Sequence, residues 1–340
     1  MTSPSTPYQI TPDEFGIRMY QITPDQFGDL PDKFIVNDHM GEVDINGTNN
    51  VLDQLNQYAI DHNTHFEIIH HQIPADSAYW SNIKILFSAE LQRLTNFNYF
   101  VNYRQCSQID FKNFICCFNG SPHVGRKLLL TIINRYNWFN TKTVSKNFSF
   151  PQDQLDGHID DFTGDCARFY RKFFIEEGSD FYSRINSFGY EPNDHWTNIC
   201  TLESRITQSF INIVSESIPT SYVPFITEKF LYSIVTQGLF LSYAQPNWHA
   251  YLEKYYGFKL YKQIFDYRFD SIVNPVERVI ELMGMISKFS FLTPHEWHDL
   301  YLLEKDAIEY NYNHYYSGNY LGMLKKFDRA GTCDLSQFGT

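Results

Sequence analysis

The sequence predicts an α/β protein made of two units, each a parallel sheet with helices on both faces, followed by helices at the C-terminus. Three observations support this fold class. Short apolar runs alternate with segments of helical periodicity over residues 33–138, and the alternation resumes over residues 210–258. Residues beyond 290 carry helical patterns without strands between them. A length of 340 residues is usual for a two-domain chain.

The first unit is predicted over residues 33–200. It contains four apolar runs of strand length, which are KFIVND, HFEIIHH, NIKILFS and FKNFICCF. Helix-like segments follow the first, third and fourth runs, at residues 50–62, 89–97 and 125–138. Because parallel strands need a crossover connection, this alternation favours a parallel sheet. The aspartate-rich remainder, residues 141–200, is interpreted as an irregular connection with one helix.

The second unit is predicted over residues 201–290, and C-terminal helices over 291–340. The runs FINIVS and LFLSY indicate strands, while EKFLYSIVTQG and WHAYLEKYYGF indicate helices that each end at a glycine. Two longer helical patterns follow, at residues 276–289 and 294–316. The second of them begins at a Thr-Pro pair, which is typical of a helix N-terminus.

The N-terminal arm, residues 1–32, contains a short tandem repeat. YQITPDEFG at residues 8–16 recurs as YQITPDQFG at residues 20–28. Two copies are too few for a solenoid. Each copy is predicted to be a Thr-Pro-Asp turn or helix start followed by a phenylalanine anchor. The repeat is either a peptide-like docking motif or an arm that packs on the surface or is partly mobile.

Composition excludes several classes of protein. The chain has 27 basic and 39 acidic residues, a formal net charge of −12, which argues against general coating of nucleic acid but allows a local basic cleft. No apolar run reaches the length of a membrane span, and no signal peptide is visible at the start. The six cysteines include no C-x-x-C pair. We therefore expect reduced thiols and a cytoplasmic protein, in the host cytoplasm if the source is viral.

Two segments resemble a known family. One is FICCFNGSPHVGRKLLL, and the other runs from residue 213 to residue 278. The second segment carries Ser215-Glu216 at a strand end, Thr227-Glu228-Lys229 at a helix start and then LFLSY. It resembles the donor-binding half of fucosyltransferase-like and exostosin-like glycosyltransferases, including viral and bacterial relatives. The resemblance implies a GT-B fold of two Rossmann-like domains, with the acceptor in the first and a nucleotide-sugar in the second.

The resemblance also implies where the donor binds. The expected donor-binding residues are Arg126, Glu216, Thr227, Glu228 and Lys229. Loops at the carboxyl edge of a parallel sheet are where ligands bind, and a helix N-terminus with a lysine suits a diphosphate. The two glutamates are expected to accept hydrogen bonds from ribose hydroxyls. Ordinary helix capping is the alternative interpretation of Thr-Glu at this place.

The expected catalytic base lies after the first strand. Asp38, His39 and Glu42 are grouped there, with Glu42 the first choice and Glu90 next. A transferase that attacks an anomeric carbon needs such a base to deprotonate the acceptor hydroxyl. Turn chemistry is the alternative role for each of these residues. By its resemblance to fucosyltransferases the reaction is expected to invert the anomeric carbon, without a metal or other cofactor.

The predicted function is therefore transfer of a sugar from a nucleotide-sugar donor to the hydroxyl of a glycan or another acceptor. Nucleic acid is expected only as an acceptor, and no membrane span is expected. Two alternatives stay open. One is a viral enzyme that glycosylates a modified DNA base. The other is a non-catalytic module that binds a sugar or a partner with the same fold, because fold does not by itself certify chemistry.

Overall fold

Two small parallel sheets and many helices make up the described part of this mixed α/β protein. Strands β1–β8 and helices α1–α10 are numbered below in chain order within that part. The computed structural model describes residues 19–20, 22–36, 50–71, 73, 80–119, 124–136, 138, 143–146, 195–216 and 224–330.

The first sheet has the strand order β1-β2-β3-β4, and all its neighbouring strands are parallel. Its helix α1 (Asn50–Asp61) follows β2 and buries Leu52, Leu55 and Ala59, which lie at helical spacing. These side chains form one apolar cluster with the sheet. The strands are β1 (Met19–Tyr20), β2 (Lys33–Val36), β3 (Phe66–His70) and β4 (Ile83–Phe87).

The second sheet has the strand order β6-β5-β7-β8 and is also parallel throughout. Every residue of β7 is buried, as expected for a strand with both faces of its sheet covered. The chain leaves β5 toward β6 and returns on the other side to β7, so the strand order reverses between β5 and β7. The strands are β5 (Asn113–Phe118), β6 (Thr143–Lys146), β7 (Ser209–Ser215) and β8 (Phe240–Tyr243).

Helices connect the strands of both sheets and form most of the C-terminal part of the chain. A 3-10 turn over Glu228–Phe230 precedes α5. π-Helical segments over Arg93–Phe97 and Leu252–Tyr256 continue α2 and α6. The remaining helices are α2 (Ala89–Gln92), α3 (Val124–Arg135), α4 (His195–Thr207), α5 (Leu231–Val235), α6 (Trp248–Tyr251), α7 (Pro275–Ser287), α8 (Pro294–Leu303), α9 (Lys305–Tyr316) and α10 (Asn319–Leu324).

The C-terminal chain returns to the first sheet. The backbone N–H groups of Arg329 and Ala330 both donate to the carbonyl of Phe87, at 3.0 and 3.1 Å. Asp328 Oδ2 accepts a hydrogen bond from the backbone N–H of Ala89, at 3.1 Å. The C-terminal segment therefore fixes the carboxyl end of β4 and the start of α2.

The six predicted strands are confirmed as β2, β3, β4, β5, β7 and β8, each ending within two residues of its predicted run, whereas β1 and β6 were not predicted. The predicted boundary at residue 200 does not separate the two sheets, because β5 pairs with β7 in the second sheet. β6 lies in the segment interpreted as an irregular connection. Local apolar runs reveal strands, but long-range pairing decides which sheet each one joins.

Helix ends also refine the predictions. Thr293 and Glu296 form a reciprocal capping box at the predicted Thr-Pro start of α8. Gly257 ends its helix with a φ of 77°, as predicted. Before β8, however, Gln237 rather than Gly238 takes the positive φ, of 54°. A Cβ on Gly238 would lie 3.0 Å from Ile206 Cγ2, so the glycine at that position allows close packing.

Candidate functional site

The carboxyl end of β7 carries a buried ionic cluster. Glu216 directly follows the strand and is fully buried. Thr227 Oγ1 lies 2.9 Å from both carboxylate oxygens of Glu216, and Lys229 Nζ donates to Oε2 at 2.7 Å. The Lys229 side chain keeps 24% of its surface exposed. The structure thus brings three predicted donor-binding residues together at the predicted sheet edge.

The turn that carries Thr227 and Lys229 is shorter than predicted. Thr227 caps it, with its Oγ1 accepting the backbone N–H of Lys229 at 3.4 Å. The segment predicted as one helix over 228–238 is a three-residue 3-10 turn followed by the short helix α5. A helix dipole is the sum of aligned peptide dipoles, so this short helix would give a diphosphate less electrostatic stabilisation than the longer predicted helix would. Lys229 is then the full positive charge that this turn carries.

Glu216 is placed to orient its neighbours. Both of its oxygens accept hydrogen bonds within the cluster, and its side chain has no exposed surface. Direct contact with a ribose, the predicted role, would therefore require the cluster to open. Glu228 is partly exposed. Burial, together with the charge of Glu228, raises the pKa of Tyr99 well above its usual value, so Glu228 lies beside that tyrosine.

Arg126 lies beside the end of β5, the strand next to β7. It is in the first turn of α3 and is buried. Burial raises the pKa of the Cys117 thiol to about 12, while hydrogen bonding from Asn119 and the charge of Arg126 act in the opposite direction. Arg126 and the Glu216 cluster flank the point at which the strand order reverses.

The first sheet presents a histidine pair at its own carboxyl edge. His70 ends β3, and the rings of His70 and His71 stack with centroids 4.5 Å apart. The His71 ring lies 5.2 Å from that of Phe225, two residues before Thr227. Both histidines are buried. The pair is not among the candidate site residues predicted from the sequence, although its position after a strand was a usable signal.

Two hydrogen bonds show that the facing edges touch. Gln92 Nε2 donates to the carbonyl of Ile226, at 3.1 Å. Tyr251 Oη donates to the carbonyl of Ile73, at 3.2 Å. Gln92 and Ile73 follow strands of the first sheet, whereas Ile226 and Tyr251 follow strands of the second. The segments after the carboxyl ends of the two sheets are therefore in contact.

The predicted catalytic bases Asp38, His39 and Glu42 lie outside the described residues, since the description of β2 ends at Val36. The next candidate, Glu90, is in α2 and pairs with Arg93, whose Nε donates to Glu90 Oε1 at 3.0 Å. The position of Glu90 after β4 agrees with the sequence. Its pairing gives this carboxylate a local partner within the same helical segment.

A second buried polar cluster follows β8. Asp270 Oδ1 accepts a hydrogen bond from His249 Nδ1, at 2.7 Å, and His249 Nε2 accepts the backbone N–H of Ser242, at 2.9 Å. Asp270 also accepts the backbone N–H groups of His249 and Ala250 at the start of α6. Burial opposes ionisation, but the interactions with His249 and with these N–H groups hold the pKa of Asp270 below its usual value. The cluster fixes the loop after β8.

No group of His, Cys, Asp or Glu residues suited to a metal ion occurs in the described part of the chain. Over the same residues, no helix is both long and apolar enough to cross a membrane. Comparison with protein-family models, curated proteins and solved structures finds no match to this chain. The arrangement of the two edges therefore carries the functional argument.

Proposed function

We propose that this protein is a glycosyltransferase that takes a sugar from a nucleotide-sugar bound at the carboxyl edge of the second sheet. The observation that carries the proposal is the contact between the carboxyl edges of two parallel sheets, one of which reverses its strand order beside Glu216. Open parallel sheets bind ligands at such a reversal. A donor on one edge would meet an acceptor held by the other.

The charged groups of the second sheet suit a diphosphate. Lys229 keeps part of its surface exposed while Glu216 and Thr227 hold its ammonium group in place. A preorganised cation loses little conformational freedom when it binds an anion, so it stabilises a leaving diphosphate more effectively. Arg126 is the second cation at this edge. The role of Glu216 is then to position Lys229 and Thr227.

The first sheet would supply the acceptor side. In the proposed reaction the acceptor oxygen attacks the anomeric carbon, the bond from that carbon to the diphosphate breaks, and the acceptor proton passes to a base. His71 is a titratable residue at the described edge, and its ring lies 5.2 Å from the ring of Phe225 at the edge of the second sheet. Asp38, His39 and Glu42 remain candidates for the same role. Inversion and independence from metal remain part of the proposal.

The test uses a panel of nucleotide-sugars, followed by hydrolysis assays without acceptor and by calorimetry with nucleoside diphosphates. The double variant Glu216→Gln/Lys229→Gln removes both charges but keeps hydrogen-bonding groups of similar size. We expect it to bind the preferred diphosphate more weakly by about 1.5–3 kcal/mol, the size of a charge-assisted hydrogen bond. Lys262→Ala is the matched control, because that lysine is exposed and pairs with Glu253 on the surface.

Equal affinities for the double variant and the wild type would place the diphosphate elsewhere. Activity should persist in excess EDTA, and a loss that Mn²⁺ or Mg²⁺ restores would contradict the metal-independent reaction. A modified-DNA acceptor belongs in the acceptor panel as one arm. The charge of −12 makes it the less favoured arm, since the mean field repels phosphates.

A second candidate function is a module that binds a nucleotide or sugar without turning it over. The closed cluster of Glu216, Thr227 and Lys229 favours it, because buried ion pairs often serve structure alone. Binding of a nucleoside diphosphate without turnover across the whole donor and acceptor panel would support this candidate over the transferase.

A further inference from the structure

The second copy of the N-terminal repeat is packed on the first sheet. Ile22 and Phe27 are 5% and 4% exposed and belong to the apolar cluster that contains α1, β2 and β3. The Phe27 ring meets Tyr58 edge-on, with centroids 5.6 Å apart. We call the apolar surface on which these two side chains pack the repeat groove; Tyr58 of α1 contacts Phe27 there, and Leu52, Leu55 and Ala59 of α1 with Val36 of β2 belong to the same cluster.

The local structure of this copy follows from its residues. Met19 and Tyr20 pair with Ile35 and Val36 as a short parallel strand. Thr23 then precedes a 3-10 turn over Pro24–Asp29, which has proline in its first turn. The turn directs Phe27 into the groove while Pro24, Asp25 and Gln26 face solvent. Residues 22–28 of this copy therefore pack on the first sheet through two apolar anchors.

The first copy lies outside the described residues, and its sequence has the same residue types at the two anchor positions. Residues 8–16 and 20–28 differ at one position, Glu14 in place of Gln26, and Gln26 is exposed. Ile10 and Phe15 correspond to the buried Ile22 and Phe27. A carboxylate at position 14 is compatible with the acceptor role of Gln26 Oε1, which lies 3.0 Å from Thr23 Oγ1. The side chains that the groove would contact at the two anchor positions are therefore the same in both copies.

Flanking residues favour the second copy. Pro7 corresponds to Met19, and a proline has no N–H to donate in a strand pair. Arg18 corresponds to Leu30, which packs against the same apolar cluster. Docking of the first copy would also lengthen the connection to β2 from residues 29–32 to residues 17–32. Loop-closure entropy then costs a factor of roughly eight in population.

We propose that the repeat groove accepts either copy, and that residues 8–16 of the same chain occupy it whenever residues 20–28 leave. The chain thus carries a built-in substitute for its own docking segment. Exchange releases the second copy, with its Ile22 and Phe27 anchors, from the first sheet. The inference concerns the first sheet and the arm and does not depend on the proposed transferase activity.

The test compares hydrogen–deuterium exchange of α1 in four proteins: the wild type, Phe15→Ala, Phe27→Ala and the double variant. Phe15→Ala should leave α1 protection unchanged, because the second copy occupies the groove. Phe27→Ala should lower protection by about tenfold or more, but by less than the double variant, since the first copy takes over at the loop-closure cost and without the flanking contacts of Met19 and Leu30. The double variant should lose a hundredfold or more, the usual range for truncating a buried phenylalanine. Peptides from α7 serve as the internal control.

Equal protection in Phe27→Ala and the double variant would overturn the proposal, because the first copy would then contribute nothing. Rescue that grows with protein concentration would also overturn it, since the substitute would come from another molecule. If the double variant loses the first sheet altogether, the milder pair Ile22→Val and Ile10→Val/Ile22→Val provides the same comparison. A synthetic peptide of residues 7–18 should restore α1 protection in the double variant, and its Phe15→Ala form should not.

Discussion

The two sheets end in different chemistry at their touching carboxyl edges. β7 is followed by Glu216, a fully buried carboxylate held by Thr227 and Lys229. β3 ends at His70, which stacks on His71, and this pair faces an aromatic ring across the contact. One edge therefore contains a fixed ion pair, whereas the other contains a pair of buried, stacked imidazoles.

This difference separates two tasks. A charge that must stabilise an anion works best when its position is fixed in advance, and buried partners do that at the second sheet. A group that takes up a proton works best when its protonation is poised near the working pH, which suits histidine. We therefore expect changes at the second edge to act on stability and anion binding, and changes at the first edge to act on turnover.

The largest expected effect is on stability at the second edge. Lys229→Ala leaves the fully buried Glu216 carboxylate without its cation and should lower the free energy of unfolding by about 3–5 kcal/mol. Denaturant unfolding at neutral pH measures it. Adding Glu216→Gln to Lys229→Ala should recover much of the loss. No recovery would mean that the lysine acts by packing rather than by charge.

The next effect concerns turnover at the first edge. His71→Gln should lower the rate with saturating donor by about a hundredfold or more, the usual worth of a general base, with little change in diphosphate affinity. The pH profile of the rate should lose its acidic limb as well. His62→Gln is the control, because His62 is an exposed histidine that directly follows α1. A normal rate for His71→Gln would return the role of base to Asp38, His39 or Glu42.

A smaller effect is expected at the cluster after β8. Asp270→Asn removes the charge that accepts the N–H groups of His249 and Ala250 and should cost about 1–3 kcal/mol of stability. Because the folded-state pKa of Asp270 is depressed, its contribution is present at neutral pH and is lost as the pH falls through that value. The difference in stability between wild type and variant should therefore shrink in acid. A constant difference would contradict the electrostatic explanation.

The smallest effect is the pH dependence contributed by His314 of α9. Burial lowers the pKa of this histidine, and its Nε2 donates to the carbonyl of Tyr256 at 2.8 Å. The contribution of His314 to the free energy of unfolding is therefore complete above the ordinary histidine pKa. It declines as the pH falls below that value, because the unfolded chain takes up the proton more readily. His314→Gln should make the decline in stability between neutral and mildly acidic pH shallower, by less than about 1 kcal/mol. An unchanged slope would assign the decline to other groups.

The sequence by itself determined the mixed α/β class, with its parallel sheets and helices, and the positions of most strands. Val- and Ile-rich runs such as FINIVS must be buried, and their ends in polar residues placed Glu216 correctly at the carboxyl end of β7. Local signals of this kind are strong because burial and chain stiffness act within a few residues. The capping box of Thr293 and Glu296 belongs to the same class of signal.

Tertiary structure alone decided which strands pair with each other and which side chains meet at the candidate site. The sequence assigned β5 to the first unit, yet β5 lies beside β7 and creates the reversal of strand order at the candidate site. The sequence grouped Glu216 with Thr227 and Lys229 at one edge, but the burial of the carboxylate and the approach of His71 to Phe225, from segments distant in sequence, depend on the tertiary packing. Composition and periodicity report the neighbours along the chain, whereas the chemistry of a site comes from neighbours in space that only the packed core selects.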